Sequence, residues 1–144
     1  MLVDVKIVLE DGAKKPTYAT DGDSGVDLAC LEDTIIPANT RGEKINTGIK
    51  IELPIGYEAQ VRPKSGVSIN TNLRVVLGTV DEGYRGKIGV IVDNLGAWDI
   101  KIPKGKAIAQ LVLKEVPKFN FIQVDELSNT ERGQGGFGST NRGI

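Results

Sequence analysis

Residues 44–53, Lys-Ile-Asn-Thr-Gly-Ile-Lys-Ile-Glu-Leu, decide the fold class. Ile45, Thr47, Ile49, Ile51 and Leu53 share one parity, and Lys44, Asn46, Lys50 and Glu52 fall on the other. Side chains of an extended chain alternate between two faces, so this order of residues predicts a half-buried strand with one dry side. Outward from it the same period returns. Tyr57, Ala59 and Val61 oppose Glu58, Gln60 and Arg62; Ile88, Val90 and Val92 repeat the alternation, and Trp98, Ile100 and Ile102 continue it. Turn residues punctuate these runs at Pro37-Ala38-Asn39, Leu53-Pro54-Ile55-Gly56, Asp81-Glu82-Gly83, Asn94-Leu95-Gly96 and Pro103-Lys104-Gly105. Spaced roughly 8–12 residues apart, such signals predict an all-β domain of many short antiparallel strands, in a sandwich or barrel. Ser65 to Leu73 lacks alternation and fits one short helix. No segment keeps a helical period, and no repeat of 20–50 residues is visible.

The chain has 144 residues, enough for one domain with its own core. Hydrophobic residues at 40% and charged ones at 26% place it among ordinary globular proteins. A net charge of −1 without a basic run argues against a nucleic-acid groove, so a small-molecule partner is expected. The N-terminal stretch MLVDVKIVLEDG carries Asp4, Glu10 and Asp11 and has no cationic start, which predicts no signal peptide; no apolar run nears ~20 residues, which predicts no membrane span. Cys30 is the single cysteine, so no intrachain disulfide can form; a reducing, cytoplasmic setting and a buried thiol are expected. With no histidine, Ser-His-Asp, Cys-His and zinc chemistry cannot be assembled from this chain. Any metal must then be hard and oxygen-bound, such as Mg²⁺, and any general base must be a carboxylate, a lysine or a tyrosine.

Composition shifts after Val124 to the glycine-rich LSNTERGQGGFGSTNRGI, Leu127 to Ile144. Such a segment buries too little to offset its backbone entropy and does not make a strand. The expected organisation is a single β domain over 1–126 and a flexible arm over 127–144. A linker or tail would read the same way, but Phe137 stands alone among glycines and hydroxyls with Arg132 upstream, an arrangement suited to closing over a ligand.

Four Gly- or Ser-containing segments interrupt the strands or follow them: DSGVDLA (Asp23–Ala29), RPKSGVS (Arg62–Ser68), GTVDEGYRG (Gly78–Gly86) and, within the arm, RGQGGFGST (Arg132–Thr140). A serine beside glycine offers an N–H and a hydroxyl to an anion with no Cβ in the way, so RPKSG and RGQGGFGST fit phosphate cradles. Neither is a Walker A loop. Asp81 lies at a tight turn, where a carboxylate can orient a water, and Tyr84 can pack against a sugar; taken alone, the same residues would serve a plain turn.

In order, DSGVDL, RPKSG, GTVDEGYRG, GKAIAQLVL and RGQGGFGST resemble the five motifs of the homotrimeric dUTPase family, over most of the chain from Pro16 to Thr140. The resemblance implies a jelly-roll-like β domain that forms a homotrimer, with active sites between subunits and the C-terminal arm closing over a neighbour's site. It implies hydrolysis of dUTP to dUMP and pyrophosphate by in-line attack of water on the α-phosphorus, with Mg²⁺ on the triphosphate. That reaction lowers dUTP and supplies dUMP for thymidylate synthesis. Asp81 then matches the carboxylate that orients the water, Asp27 the acidic position that meets the metal through water, and Ser65 and Gly66 the phosphate-binding pair. Arg62 and Lys64 flank that pair. Gln110 reaches the phosphate region; Gly78 and Val80 offer main-chain groups to uracil in an expected hairpin from Val75 to Tyr84. Tyr84 matches the ring that leaves no room for a 2′-hydroxyl. In the arm, Arg132 matches the γ-phosphate ligand, Phe137 the ring stacked on uracil, and Gly138, Ser139 and Thr140 the contacts near the terminal phosphate.

The chain departs from the family at Lys64, where many members carry arginine, at Val75, Val76 and Leu77, which offer no side-chain amide, and at Ser24, where alanine is common. Two other readings share the fold: a nucleotide-responsive binding protein with a regulatory protein partner, and a dCTP deaminase relative.

Overall fold

In a computed structural model residues 1–141 are described. Eleven strands and one short helix follow in order: β1 (Lys6–Leu9), β2 (Val26–Ala29), β3 (Thr34–Ile36), β4 (Thr40–Asn46), β5 (Ile49–Glu52), β6 (Tyr57–Pro63), α1 (Ser65–Asn70), β7 (Leu73–Val75), β8 (Gly78–Val80), β9 (Gly89–Asn94), β10 (Ile100–Ile102) and β11 (Ala107–Glu115). Every ladder is antiparallel. One sheet runs β2-β11-β6-β8, a second β4-β9-β7, and the pairs β1-β5 and β3-β10 complete the shell. This is the all-β, jelly-roll-like domain expected. No helix is long and apolar enough to cross a membrane among the described residues.

The sheets meet in one core. Leu28, Val61 and Ala109 come from the four-stranded sheet, Ile45, Val90 and Val92 from the three-stranded one, and Ile49 and Ile51 from β5. Each valine, leucine or isoleucine side chain buried this fully contributes about 1.5–3 kcal/mol. Asn94 is the polar exception at the centre: its amide nitrogen donates to the carbonyls of Ile36, Pro37 and Trp98, and its oxygen accepts from the N–H of Gly96. A buried amide so fully bonded ties the β3–β4 and β9–β10 connections together and leaves none of its polar atoms unpaired.

Three expectations need correction. Residues 44–53 keep their parity, with Ile45, Thr47, Ile49, Ile51 and Leu53 all buried, yet they are two strands. The chain turns at Gly48, which has φ +73°, and a Cβ there would lie 2.9 Å from Ala13 and from Leu31. β4 pairs with β9 while β5 pairs with β1, so the alternation survives a change of partner. Trp98 does not extend the inward face of β10. It is 82% exposed in the preceding turn, where only its carbonyl is engaged.

Val75 to Tyr84 likewise does not close on itself as a hairpin. β7 pairs with β9 and β8 with β6, so the segment crosses between sheets. The expected helix is α1, shorter than the stretch from which it was read.

Candidate active site

Three adjacent strands set the first half of the site. In the ladders Asp27 of β2 faces Gln110 of β11, and Gln110 faces Arg62 of β6. Strands lie roughly 4.8 Å apart, so the row spans about 10 Å on the side of the sheet opposite Leu28, Val61 and Ala109. β6 runs directly into α1, which brings Lys64, Ser65 and Gly66 to the end of that row. These six residues line one open cleft of about 410 Å³ together with Asp23, Ser24 and Gly25.

The cleft is polar and charge-balanced. Lys64 Nζ is paired with the carboxylate of Asp27, both only partly exposed. Asp23 accepts the N–H of Thr20 at 2.9 Å. Gln110 donates its amide N–H to the carbonyl of Pro63 at 2.9 Å, which ties the side chain to the end of β6. Gly25 lets Gln110 lie close above it: a Cβ there would come within 2.6 Å of the Gln110 oxygen and 3.0 Å of Val112, so the Gln110 side chain would have to move. At Gly66 a Cβ would meet nothing within 4 Å, and of the N–H groups that open α1, those of Val67 and Ser68 are bonded to the carbonyl of Lys64. The first N–H groups of a helix have no intrahelical acceptor and suit an anion. Ser24 and Gly25 were not singled out as site residues from sequence, although the DSGVD segment was the signal for both.

The second half lies elsewhere in the chain. Asp81 follows β8 and is exposed, with its carbonyl accepting the N–H of Tyr84 at 3.0 Å. Glu82 accepts the N–H of Gly56 at 2.8 Å and pins this turn to the β5–β6 turn. Tyr84 donates its hydroxyl to the carbonyl of Lys87 at 2.8 Å and, with Gly78 and Val80, lines a separate groove of about 250 Å³. No residue is common to the groove and the cleft.

The third element is the C-terminal segment. Beyond β11 the described residues contain no strand or helix, and after Val116 every hydrogen bond runs within the segment. Arg132 donates Nε–H to the carbonyl of Gly135 at 2.8 Å, and Ser139 N–H reaches the carbonyl of Gly136 at 3.1 Å. Phe137 has φ +52° and is fully exposed, followed by Gly138 at φ +81°. A bulky residue held left-handed in solvent is strained. Arg132, Phe137, Gly138, Ser139 and Thr140 thus form a self-folded loop away from both cavities.

Among the described residues no three acidic, cysteine or histidine groups converge as a metal cage. The donor set that does exist, the Asp27 carboxylate beside an anion cradle, fits a Mg²⁺ ion carried largely by phosphate oxygens.

An all-β body with a glycine-and-serine anion cleft and an oxygen-only donor set defines a protein built to handle a phosphorylated ligand. The chain belongs to the dUTPase family, whose family model matches residues 11–141. The deoxyuridine 5′-triphosphate nucleotidohydrolase of Alkaliphilus metalliredigens is 50% identical over 130 residues, covering 89% of this chain and 90% of that protein. The enzyme of the same name from Clostridium tetani is 46% identical over 140 residues, covering 96% and 95%. Among solved structures, the Staphylococcus bacteriophage 80alpha dUTPase with dUpNHpp superposes with a TM-score of 0.89 at 26% identity, covering 98% of this chain and 99% of that one. The phage phi11 dUTPase, at 24% identity, covering 86% of this chain and 98% of that one, and a TM-score of 0.77, shares the fold; a structural Mg(II) ion is described for that protein.

Proposed function

We propose that this chain hydrolyses dUTP to dUMP and pyrophosphate at sites shared between the subunits of a homotrimer. The observation that carries the reading is the convergence of Asp27, Arg62, Lys64, Ser65, Gly66 and Gln110 on one anion-binding cleft, while Tyr84 lines a different groove and Asp81 does not line the cleft. A single copy offers the phosphates a cradle without the base and sugar without the phosphates. Assembly of copies supplies both. The arm, 127–144, is assigned to closing the site, with Arg132 on the terminal phosphate and Phe137 on the base; residues 142–144 lie outside the described part of the structure.

In this reading Ser65 and Gly66 hold phosphate oxygens through N–H and hydroxyl groups. Arg62 and Lys64 add positive charge, and Gln110 holds the edge of the cleft. Asp81 accepts the proton of the attacking water. Tyr84, fixed by its hydroxyl, excludes a ribose. Main-chain groups of the segment containing Gly78 and Val80 read uracil, and mispaired cytosine would leave polar groups unsatisfied. Asp27 would hold Mg²⁺ through water, with the remaining ligands from the triphosphate. When bound, the ion neutralises charge that develops on the leaving pyrophosphate.

Exposed apolar residues support the assembly. Val76, Leu77 and Ile91 on the body and Phe119, Phe121, Ile122, Val124 and Leu127 toward the arm lie open to solvent in one copy. Exposed apolar side chains in that number suit an interface.

The test is pyrophosphate release from dUTP, dTTP, dCTP and UTP, each with Mg²⁺ and with EDTA. Release confined to dUTP with Mg²⁺ is expected. Ammonia from dCTP would make the chain a deaminase, and dUTP binding without turnover would make it a nucleotide-responsive binding protein.

A further inference from the structure

Arg62 is the only long cation in the cleft whose side chain is held by a neighbour of the same strand, and that neighbour leads to another. Glu58, Gln60 and Arg62 occupy one parity of β6, opposite the buried Ala59 and Val61. Gln60 accepts two hydrogen bonds on one oxygen, from Arg62 Nε at 2.9 Å and from Nη2 at 2.6 Å. Its amide nitrogen donates to Glu58 at 2.7 Å. The order is chemically forced: a guanidinium only donates and a carboxylate only accepts, so the amide between them has one orientation. Two of the five guanidinium N–H groups are thereby engaged, and the others are left for a ligand.

We propose that Gln60, oriented by Glu58, is the positioning residue for the Arg62 guanidinium at the phosphate cleft. Arginine has four rotatable bonds, and a cleft that must meet a phosphate needs the guanidinium plane set before the ligand arrives. The ladder sets it. Carboxylate charge at Glu58 reaches the guanidinium through the polarised amide without standing in the cleft, where it would repel phosphate. The inference rests on the assignment of Arg62 to substrate binding.

The experiment is a double-substitution cycle on the full chain, read as kcat and KM for dUTP with the melting temperature as a folding control. Gln60→Leu should lower kcat/KM about tenfold or more, as expected for a lost hydrogen bond to a charged group. Gln60→Glu keeps an acceptor for Arg62 and should recover part of the loss. In an Arg62→Ala background, Gln60→Leu should cost nothing further. Equal losses in both backgrounds, or wild-type kinetics for Gln60→Leu, would overturn the inference. Should Gln60→Leu fail to fold, Glu58→Leu takes its place, with the same requirement that its effect vanish with Arg62. If the unsubstituted chain does not turn over dUTP, the reading of the site falls, and this inference with it.

Discussion

Asp81 stands exposed on the turn after β8, and none of its carboxylate oxygens accepts a hydrogen bond among the described residues. A base left unbonded can take a proton from water. Asp81→Asn should therefore lower kcat by about 100- to 10,000-fold while dUTP binding, followed by calorimetry, persists. Near-normal turnover would remove Asp81 from the role. Gly86 is a second test at this scale. Its backbone is not left-handed, but a Cβ there would collide with the Tyr84 hydroxyl and lie 2.6 Å from its ring carbon Cζ. Gly86→Ala should displace the ring and weaken discrimination of dUTP against UTP about tenfold or more, with less effect on melting temperature. Unchanged selectivity would show that Tyr84 does not guard the 2′ position. That Ser65 and Gly66 share a cleft was legible in the RPKSG pattern, where serine and glycine interrupt apolar alternation; Asp27 and Gln110, which line the same cleft, entered only through the resemblance to the family motifs. Gln60 and Glu58 were not legible, since a polar residue on the wet face of a strand is what alternation demands in any case. Only the distances distinguish a ladder from a solvated face.

At the scale of elements, alternation identified burial better than pairing. It placed five side chains of residues 44–53 correctly inside and missed the turn at Gly48, because the identity of a strand's partner is not written in its own period. The hairpin expected over Val75 to Tyr84 failed for the same reason. The edge ladder β1–β5 carries a charge pair at Lys6 and Glu52, 2.8 Å apart, with Arg85 at 3.4 Å. The hydrogen bond from Lys6, helped by its charge and that of Arg85, holds the Glu52 carboxyl below its ordinary 4.5. Lys87 does the same for Glu10. A carboxyl lowered in the folded state stabilises fully above its unfolded pKa, and that contribution is lost as pH falls from about 4.5 through the folded value. Melting temperature should fall more steeply below pH 4.5 in the wild type than in a Lys6→Met, Lys87→Met variant; parallel curves would show that these pairs do not couple to folding. The arm is a separate case. Because described residues 117–141 hydrogen-bond only among themselves, truncation after Asn129 should remove most turnover and move the melting temperature by less than about 3 °C. A large destabilisation would mean that the arm is part of the fold.

For the whole molecule, the separation of the phosphate cleft from the Tyr84 groove sets the strongest requirement of the proposed reading, in which neither surface suffices and activity belongs to an assembly of copies. Mixing two inactive chains tests it. Asp81→Asn subunits keep their arms, and subunits truncated after Asn129 keep Asp81. Trimers formed from both after joint refolding should regain turnover, since some sites then combine an intact base with an intact arm. Absence of recovery, with mixed trimers verified by mass, would place base and arm of each site on the same chain. The proposed assembly rests on the family resemblance and not on alternation, which specifies what each strand buries and not against how many copies.

Cys30 gives the molecule one more property. It is the single thiol in the chain, 2% exposed, with its sulfur bonded to the carbonyl of Glu32. To a maleimide or a spin label the folded surface is blank. A thiol introduced in the arm, at Ser128 for instance, would be labelled alone in each subunit, and the distances among the labels would report where the arms travel when nucleotide arrives.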